Sequence, residues 1–271
     1  MKGTPRLLFP AVLAGTIAVG CQMVQTTGAG VVGVDRSQMM MVSAQEVEQA
    51  SAKQYQQILA EARAKNALNR NAAQVQRVRA ITARLTAQSG HFRPDALRWQ
   101  WETNVISSSE LNAWCMAGGK MAINTGLIER LQLTDAEIAA VMGHEIAHAL
   151  REHARERVSK SMVTGLGVSV AGALLGVGAA GQDLMSKVAQ VSFELPNSRE
   201  HETEADRMGV ELAARAGYDP RAAVSLWNKM AANSSGAPPQ WLSTHPSHAN
   251  RLRDLDDYAN RVMPLYQQAR R

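Results

Sequence analysis

Val141-Met142-Gly143-His144-Glu145-Ile146-Ala147-His148-Ala149-Leu150 carries the pattern His-Glu-x-x-His. Residues four apart share one face of a helix, so His144 and His148 can hold one metal ion between them. Glu145 lies beside the pair, where its carboxylate can reach a water molecule at the metal. Two imidazoles, a neighbouring carboxylate and an open coordination position are the requirements of a hydrolytic zinc site.

The sequence around this motif predicts a helix. Thr134 and Glu137 form a capping-box pattern, with Thr134 as the N-cap residue. Apolar residues then recur with helical spacing, and no Gly or Pro stands between Glu145 and Arg157, which predicts one helix over residues 134–160. A chain of this composition contains the motif by chance about 0.01 times, so a surface helix with unrelated histidines is the weaker interpretation.

A catalytic zinc site of this type needs a third protein ligand, and His153 is the first candidate. His153 follows His144 by nine residues. At 100° per residue on a continuing helix, that spacing places the two side chains about 180° apart. His153 is therefore expected to point away from the metal.

The second candidate is a carboxylate on a later helix, which begins near Ser198. Glu202 and Asp206 are four residues apart and share a face of this helix. Glu202 could bind zinc while Asp206 steadies a ligand histidine from behind. Glu204 is rotated off that face and is expected to meet solvent or a salt-bridge partner. His201 is interpreted as a partner on the neighbouring face and not as a ligand.

Composition and charge limit the functional classes. Hydrophobic residues make up 45% of the 271-residue chain and charged residues 20%, as in ordinary globular proteins. Aromatic residues are only 4%, which favours helices over sheet. The net charge of +5 falls to +3 without Lys2 and Arg6 of the first twenty residues. Such a small and scattered excess argues against nucleic-acid binding.

The first twenty residues have the parts of a secretory signal. A basic start is followed by the apolar stretch Leu7–Val19, which is short for a membrane span. Ala18-Val19-Gly20-Cys21 resembles a bacterial lipobox, so we predict a lipoprotein signal peptide over residues 1–20 and a membrane anchor on Cys21. Gln22 in place of Asp then points to the periplasmic face of the outer membrane, by resemblance to bacterial lipoproteins. A plain signal peptide or an uncleaved anchor is the alternative.

Residues 21–43 show little pattern and are predicted to be a tether or an irregular wrap over the domain. The domain itself is predicted over residues 44–271. Residues 44–88 have the periodicity of two helices, with a break at residues 66–71. Residues 97–128 contain short strand-like pieces, including the alternating Leu97–Trp101, around a turn at Gly118-Gly119.

The predicted fold class is therefore mainly α with a small antiparallel β-sheet (α+β). A strand edge beside the cleft could bind an extended peptide by backbone pairing, or the sheet could be structural support alone. Residues 162–181 are uncharged and rich in Gly and Ala. They could pack within the domain, dip into a membrane or cover the active site, and we favour packing within the domain.

Several motifs together resemble the HtpX and CAAX-prenyl-protease family of zinc metallopeptidases, in particular its secreted bacterial BepA/LoiP-like branch. The resemblance covers roughly residues 70–260 and implies a zincin-like metallopeptidase domain of the gluzincin type. The motifs are Leu111-Asn112-Ala113-Trp114 with Gly118-Gly119, the stretch Gly143–His148, Glu202–Asp206 followed by Gly209, and Thr244-His245-Pro246.

The resemblance also implies the roles of individual residues. One Zn²⁺ per chain would be held by three ligands, Glu145 would be the catalytic base, and Asp206 would support the site or donate a proton. His245 would approach the metal and plug its open position, with a helix cap as the alternative role, and Arg251 could stabilise an oxyanion. The three implied ligands are His144, His148 and Glu202.

The function expected from these features is zinc-dependent hydrolysis of peptide bonds in misfolded or unassembled proteins of the cell envelope. The rival hypothesis is a non-catalytic periplasmic chaperone or assembly lipoprotein that uses the same cleft. A complete set of ligands and a base favours the enzyme, because a scaffold has no need of Glu145. The sequence leaves the native substrate and the oligomeric state open.

Overall fold

The computed structural model describes residues 22–166, 177–233, 240–246 and 250–271. The predicted signal peptide and Cys21 lie outside the described residues. The strands are β1 (Gln22–Val24), β2 (Gln38–Met40), β3 (Glu102–Ile106), β4 (Ala113–Met116) and β5 (Lys120–Asn124). The helices are α1 (Ala44–Ala64), α2 (Ala72–Thr86), α3 (Thr125–Arg130), α4 (Asp135–Leu150), α5 (His153–Leu166), α6 (Val177–Phe193), α7 (Arg199–Arg215), α8 (Ala222–Ala232), α9 (Gln240–Thr244) and α10 (Arg251–Ala269).

The mainly helical class with a small sheet is confirmed, but one strand pair differs from the prediction. β4 and β5 form the antiparallel hairpin expected around Gly118-Gly119, whose residues both have positive φ. β3 pairs with β5 in parallel, so the strand order is β3-β5-β4. After β3 the chain crosses to the far edge of the sheet to form β4, and the hairpin then returns it as β5 between β3 and β4. Because of this crossover, β3 and β5 run in the same direction, whereas consecutive strands that pair through a hairpin run antiparallel.

The alternating segment Leu97–Trp101 does not form a strand. A short 3₁₀ helix occupies Pro94–Arg98, and β3 begins only at Glu102. Pro94 at the first turn fixes a backbone angle that suits a helical turn, and this local preference prevails over the alternation. Trp101 still packs against the core and donates its indole N–H to the carbonyl of Ala96.

Helices α4 and α7 cross in close contact at two glycines. A Cβ atom on Gly209 would lie 2.7 Å from the His144 backbone nitrogen, and one on Gly143 would lie 2.9 Å from the Gly209 carbonyl oxygen. No side chain fits between the two backbones at that separation. The glycines thus bring Glu202, about two turns before Gly209 on α7, to the same level as the histidines of α4.

The capping box at Thr134 is confirmed, but the predicted continuous helix over residues 134–160 is wrong. Helix α4 ends at Leu150, and Glu152 adopts a positive φ of 52° before α5 starts at His153. The Glu152 carboxylate is held by Arg93 and Arg155 at 2.7 and 2.6 Å. These ion pairs stabilise a backbone conformation that is uncommon for residues other than glycine. No local sequence pattern predicts this conformation at Glu152.

The segment predicted as a tether or a wrap packs against the domain, as in the second interpretation. β1 and β2 pair as a two-stranded antiparallel ribbon. Val32 and Val34 are buried in the main core, and Gln38 is fully buried. Arg36 forms ion pairs with Glu156 and Glu204, each at 2.8 Å. Residues 22–43 are therefore part of the folded unit, and the boundary at residue 44 does not separate them from it.

The apolar segment 162–181 lies largely outside the described residues. Its flanks belong to α5 and α6, and the later residues Val188 and Val191 of α6 pack against Tyr55 and Trp114 in a second apolar cluster. Across the described parts of the chain, no helix combines the length and the apolar character that a membrane crossing requires.

Candidate metal centre

Four buried side chains from α4, α7 and the segment after α9 converge on one point. Nitrogen and carboxylate atoms of His144, His148, Glu202 and His245 all lie within 4.8 Å of one another. The Nε2 atoms of the two α4 histidines are 3.0 Å apart, and they lie 3.5 and 3.4 Å from the Glu202 carboxylate. Ligand atoms on a tetrahedral zinc are separated by about 3.3 Å, so these three groups fit the ion.

The Glu202 carboxylate is fully buried among positive or proton-donating groups. Arg251 approaches one oxygen at 2.9 Å, and His245 Nδ1 approaches the other at 2.9 Å. Burial alone would raise the pKa of Glu202, but the neighbouring His245 and His144 lower it well below its usual value. The carboxylate is thus ionised and suited to binding a cation.

His144 is oriented from its far side by a carboxylate. Its Nδ1 donates to Asp206 Oδ1 at 2.9 Å, and Arg251 contacts the same carboxylate at 2.7 and 2.8 Å. Burial opposes ionisation of Asp206, but Arg251 and His144 lower its pKa below the usual value. An ionised Asp206 fixes the tautomer in which His144 Nε2 carries a lone pair, which is the predicted supporting role.

His148 is oriented by a histidine. His153 Nδ1 lies 2.8 Å from His148 Nδ1, and His153 Nε2 lies 2.9 Å from Glu204 Oε2. The prediction that His153 is not a ligand agrees with this geometry, but its reason was wrong, because the helix breaks after Leu150 and His153 turns back to contact the ligand. Glu204 has salt-bridge partners, as predicted, and they include Arg151.

Glu145 lies beside the cluster and is engaged by residues after the helix α8. Trp241 donates its indole N–H to Glu145 Oε1 at 2.7 Å, and His245 Nε2 lies 3.5 Å from the same oxygen. The rings of Trp241 and His245 stack with their centroids 4.8 Å apart. Burial opposes a positive charge on His245, but the Glu202 and Glu145 carboxylates raise its pKa above the usual value.

A cleft opens at the cluster. Glu145, His148 and His245 line its polar end, and β4 forms part of one wall. Apolar side chains, including Val47, Trp114, Val191 and Phe193, line other parts of it together with further polar and charged side chains. Because β4 is an edge strand of the described sheet, an extended chain could lie along it with its backbone near Glu145.

The structure brings together every predicted site residue and adds others that the sequence interpretation missed. Trp241 is one, although its position four residues before His245 could have shown that both face the same way. Arg251 was named only for an oxyanion, whereas it pairs with the Glu202 and Asp206 carboxylates. Arg36, in the N-terminal segment, pairs with Glu204, and no sequence signal connects these distant positions.

Two histidines and a glutamate on crossed helices, with a second glutamate beside them, define a zinc metallopeptidase of the His-Glu-x-x-His type. The particular family follows from comparison with known proteins. The model of peptidase family M48 matches residues 69–259, and the chain belongs to this family. Metallopeptidases of this family use zinc, in agreement with the ligand set found here.

Curated relatives come from mitochondria and from bacteria. The metalloendopeptidase OMA1 of Bos taurus is 38% identical over 168 residues, which covers 58% of this chain and 32% of the relative. The mitochondrial metalloendopeptidase OMA1 of Arabidopsis thaliana is 36% identical over 155 residues, or 57% of this chain and 31% of the relative. The beta-barrel assembly-enhancing protease of Escherichia coli is 29% identical over 175 residues, or 61% and 36%. The chain spans about a third of the length of these relatives.

Proposed function

We propose that this chain is a zinc-dependent endopeptidase of the bacterial cell envelope that cleaves misfolded or unassembled proteins. The observation that carries the enzymatic part is the convergence of His144, His148 and Glu202 at tetrahedral spacing with Glu145 beside them. The location is supported by the lipobox-like sequence at Cys21 and by the similarity to a bacterial protease named for β-barrel assembly. On this proposal the protein is anchored at the periplasmic face of the outer membrane.

On this proposal, the zinc ion and the protein side chains have different roles in peptide-bond hydrolysis. A zinc ion in this site supplies a Lewis acid that lowers the pKa of water toward about 7 and stabilises a developing oxyanion. Glu145 takes the proton from the attacking water and passes it to the leaving amine. Asp206 holds His144 in the tautomer that presents Nε2, and Arg251 favours the ionised form of Asp206.

The cleft supports an extended, unfolded substrate. Backbone pairing along β4 reads the main chain and imposes little requirement on side chains, which suits proteins that have failed to fold. The apolar wall around Trp114 and Phe193 would hold a large apolar side chain next to the scissile bond. Such side chains are buried in folded proteins and exposed in misfolded ones, so the cleft would select for the unfolded state.

The requirement for zinc tests this proposal directly. We expect the purified protein to bind one zinc ion and to cleave an unfolded protein such as casein, to lose cleavage on chelation, and to regain it when zinc is added back. Metal analysis and gel electrophoresis of casein digests measure both properties. A preparation that binds zinc fully but never cleaves any unfolded protein would contradict the enzymatic proposal.

His245 is proposed to restrain the resting enzyme. Its Nδ1 lies 3.1 Å from His144 Nε2 and 2.9 Å from Glu202, where it occupies the position that water and substrate need. We expect His245→Ala to cleave casein severalfold faster than the wild type at equal zinc occupancy. His91→Ala, at an exposed histidine, serves as the matched control. Slower cleavage by His245→Ala would instead favour a role in stabilising the transition state.

A further inference from the structure

A chain of buried hydrogen bonds extends from the ligand His148 through His153 to Glu204. His148 Nδ1 and His153 Nδ1 are 2.8 Å apart, and His153 Nε2 lies 2.9 Å from Glu204 Oε2. The His153 side chain is 1% exposed, so water cannot replace either partner. The Glu204 carboxylate is held in turn by Arg151 from the α4–α5 junction and by Arg36 from the N-terminal segment.

The positions of the protons in this series of hydrogen bonds follow from its last member, Glu204. Arg36 and Arg151 donate to both oxygens of Glu204, so this carboxylate acts as an acceptor and His153 Nε2 must carry a proton. A neutral His153 ring with its proton on Nε2 can only accept at Nδ1. The single proton between the two Nδ1 atoms, 2.8 Å apart, therefore belongs to His148 Nδ1.

The position of this proton determines which nitrogen of His148 can bind the metal. A neutral imidazole with its proton on Nδ1 has a free lone pair on Nε2, the atom 3.0 Å from His144 Nε2. His144 reaches the same state by donating directly to the Asp206 carboxylate. The two ligand histidines are thus oriented in different ways. The Asp206 carboxylate contacts His144 directly, whereas the Glu204 carboxylate acts on His148 through the imidazole of His153.

We propose that His153 is a positioning residue that fixes the tautomer and ring orientation of His148, with Glu204 as its anchor. This inference rests on the zinc site of the proposed function. His153 itself is not a ligand, since both of its ring nitrogens are engaged with His148 and Glu204. On α7, the Glu202 carboxylate faces the metal site, and the Glu204 carboxylate lies behind His153, which contacts the ligand His148.

The experiment compares three variants of the full chain by zinc affinity, using competition with a chromophoric chelator. His153→Leu removes both hydrogen bonds, and we expect its zinc affinity to fall about 10–100-fold. His153→Gln can accept at Oε1 and donate from Nε2, and we expect it to recover most of the loss. His201→Leu is the matched control, because the His201 side chain stacks on His153 and bonds to Glu156, and none of its described side-chain hydrogen bonds reaches a ligand. Its affinity is expected to stay within about threefold of the wild type.

A spectroscopic measurement covers the case in which His153→Leu does not fold. In the ¹⁵N-labelled wild-type protein, a nitrogen–nitrogen coupling through the hydrogen bond should connect His148 Nδ1 with His153 Nδ1, with the proton assigned to His148. Absence of this coupling, or a folded His153→Leu variant that binds zinc like the wild type, overturns the inference. Failure of the wild type itself to bind zinc would overturn the proposed function, so the two failures are distinguishable.

Discussion

Glu145→Gln is expected to abolish casein cleavage while zinc binding stays at the wild-type level. The amide cannot take a proton from water, and loss of a positioned general base lowers the rate by about 10²- to 10⁴-fold. Zinc binding should persist because Glu145 lies outside the three-ligand set and contacts Trp241 and His245. The amide oxygen of Gln can still accept the indole N–H, so the local structure is preserved. Casein digestion rates and metal content measure the two effects.

Glu129→Gln is the control for this variant, since Glu129 is exposed on α3 and its described side-chain hydrogen bond is to Gln74, which is not a residue of the site. It is expected to cleave casein at the wild-type rate. Equal cleavage by Glu145→Gln in a protease-free preparation would remove Glu145 from the mechanism. Full restoration of cellular function by Glu145→Gln would favour the rival role of a non-catalytic assembly factor.

Local patterns predicted the helices that carry the site. The Thr134 capping box predicted the start of one helix, which the structure confirms, and the four-residue spacing of His144 and His148 predicted that both lie on one face of it. The same spacing in Glu202 and Asp206 predicted that one would face the metal and the other would support a histidine, and the structure brings both to those positions. These features depend on helical geometry alone and therefore appear in the sequence.

Features that depend on tertiary contacts were missed. The break at Arg151–Glu152 contains no Gly or Pro, and it is stabilised by ion pairs from Arg93 and Arg155 to Glu152. The role of His153 follows from that break, because a continuous helix would have carried its ring to the opposite side. The parallel direction of β3 results from a crossover whose path no turn residue specifies. Long-range contacts decided each of these outcomes.

The second layer around the zinc ligands is made almost entirely of paired charges. Asp206 and Arg251 support one side, while Glu204 with Arg151 and Arg36 supports the other. Such groups are costly to bury unless every partner is present, so the layer is stable only when it is complete. The N-terminal segment contributes Arg36, and folding of the site therefore requires residues well before the first metal ligand.

Arg251→Met is expected to lower the free energy of unfolding of the zinc-free protein by about 3–5 kcal/mol, because it leaves buried carboxylates without their cation. The Arg251 guanidinium is 1% exposed and lies 2.9 Å from Glu202 and 2.7 Å from Asp206. It also lies 3.6 Å from the centre of the Trp227 ring, a packing contact that Met partly retains. Urea unfolding measures the loss. Added zinc should restore more stability to this variant than to the wild type, because the ion neutralises Glu202.

Arg207→Met provides the matched control, because Arg207 pairs with Asp254 between the same two helices, α7 and α10, at 3.0 Å. The side chains of this pair are 30% and 27% exposed, so water compensates either charge and the expected loss stays within about 1 kcal/mol. Both variants remove an arginine between α7 and α10, and the difference between them isolates the effect of burial. If Arg251→Met unfolds at the same urea concentration as Arg207→Met, Arg251 does not offset the buried charge of Glu202 and Asp206, and another group must do so.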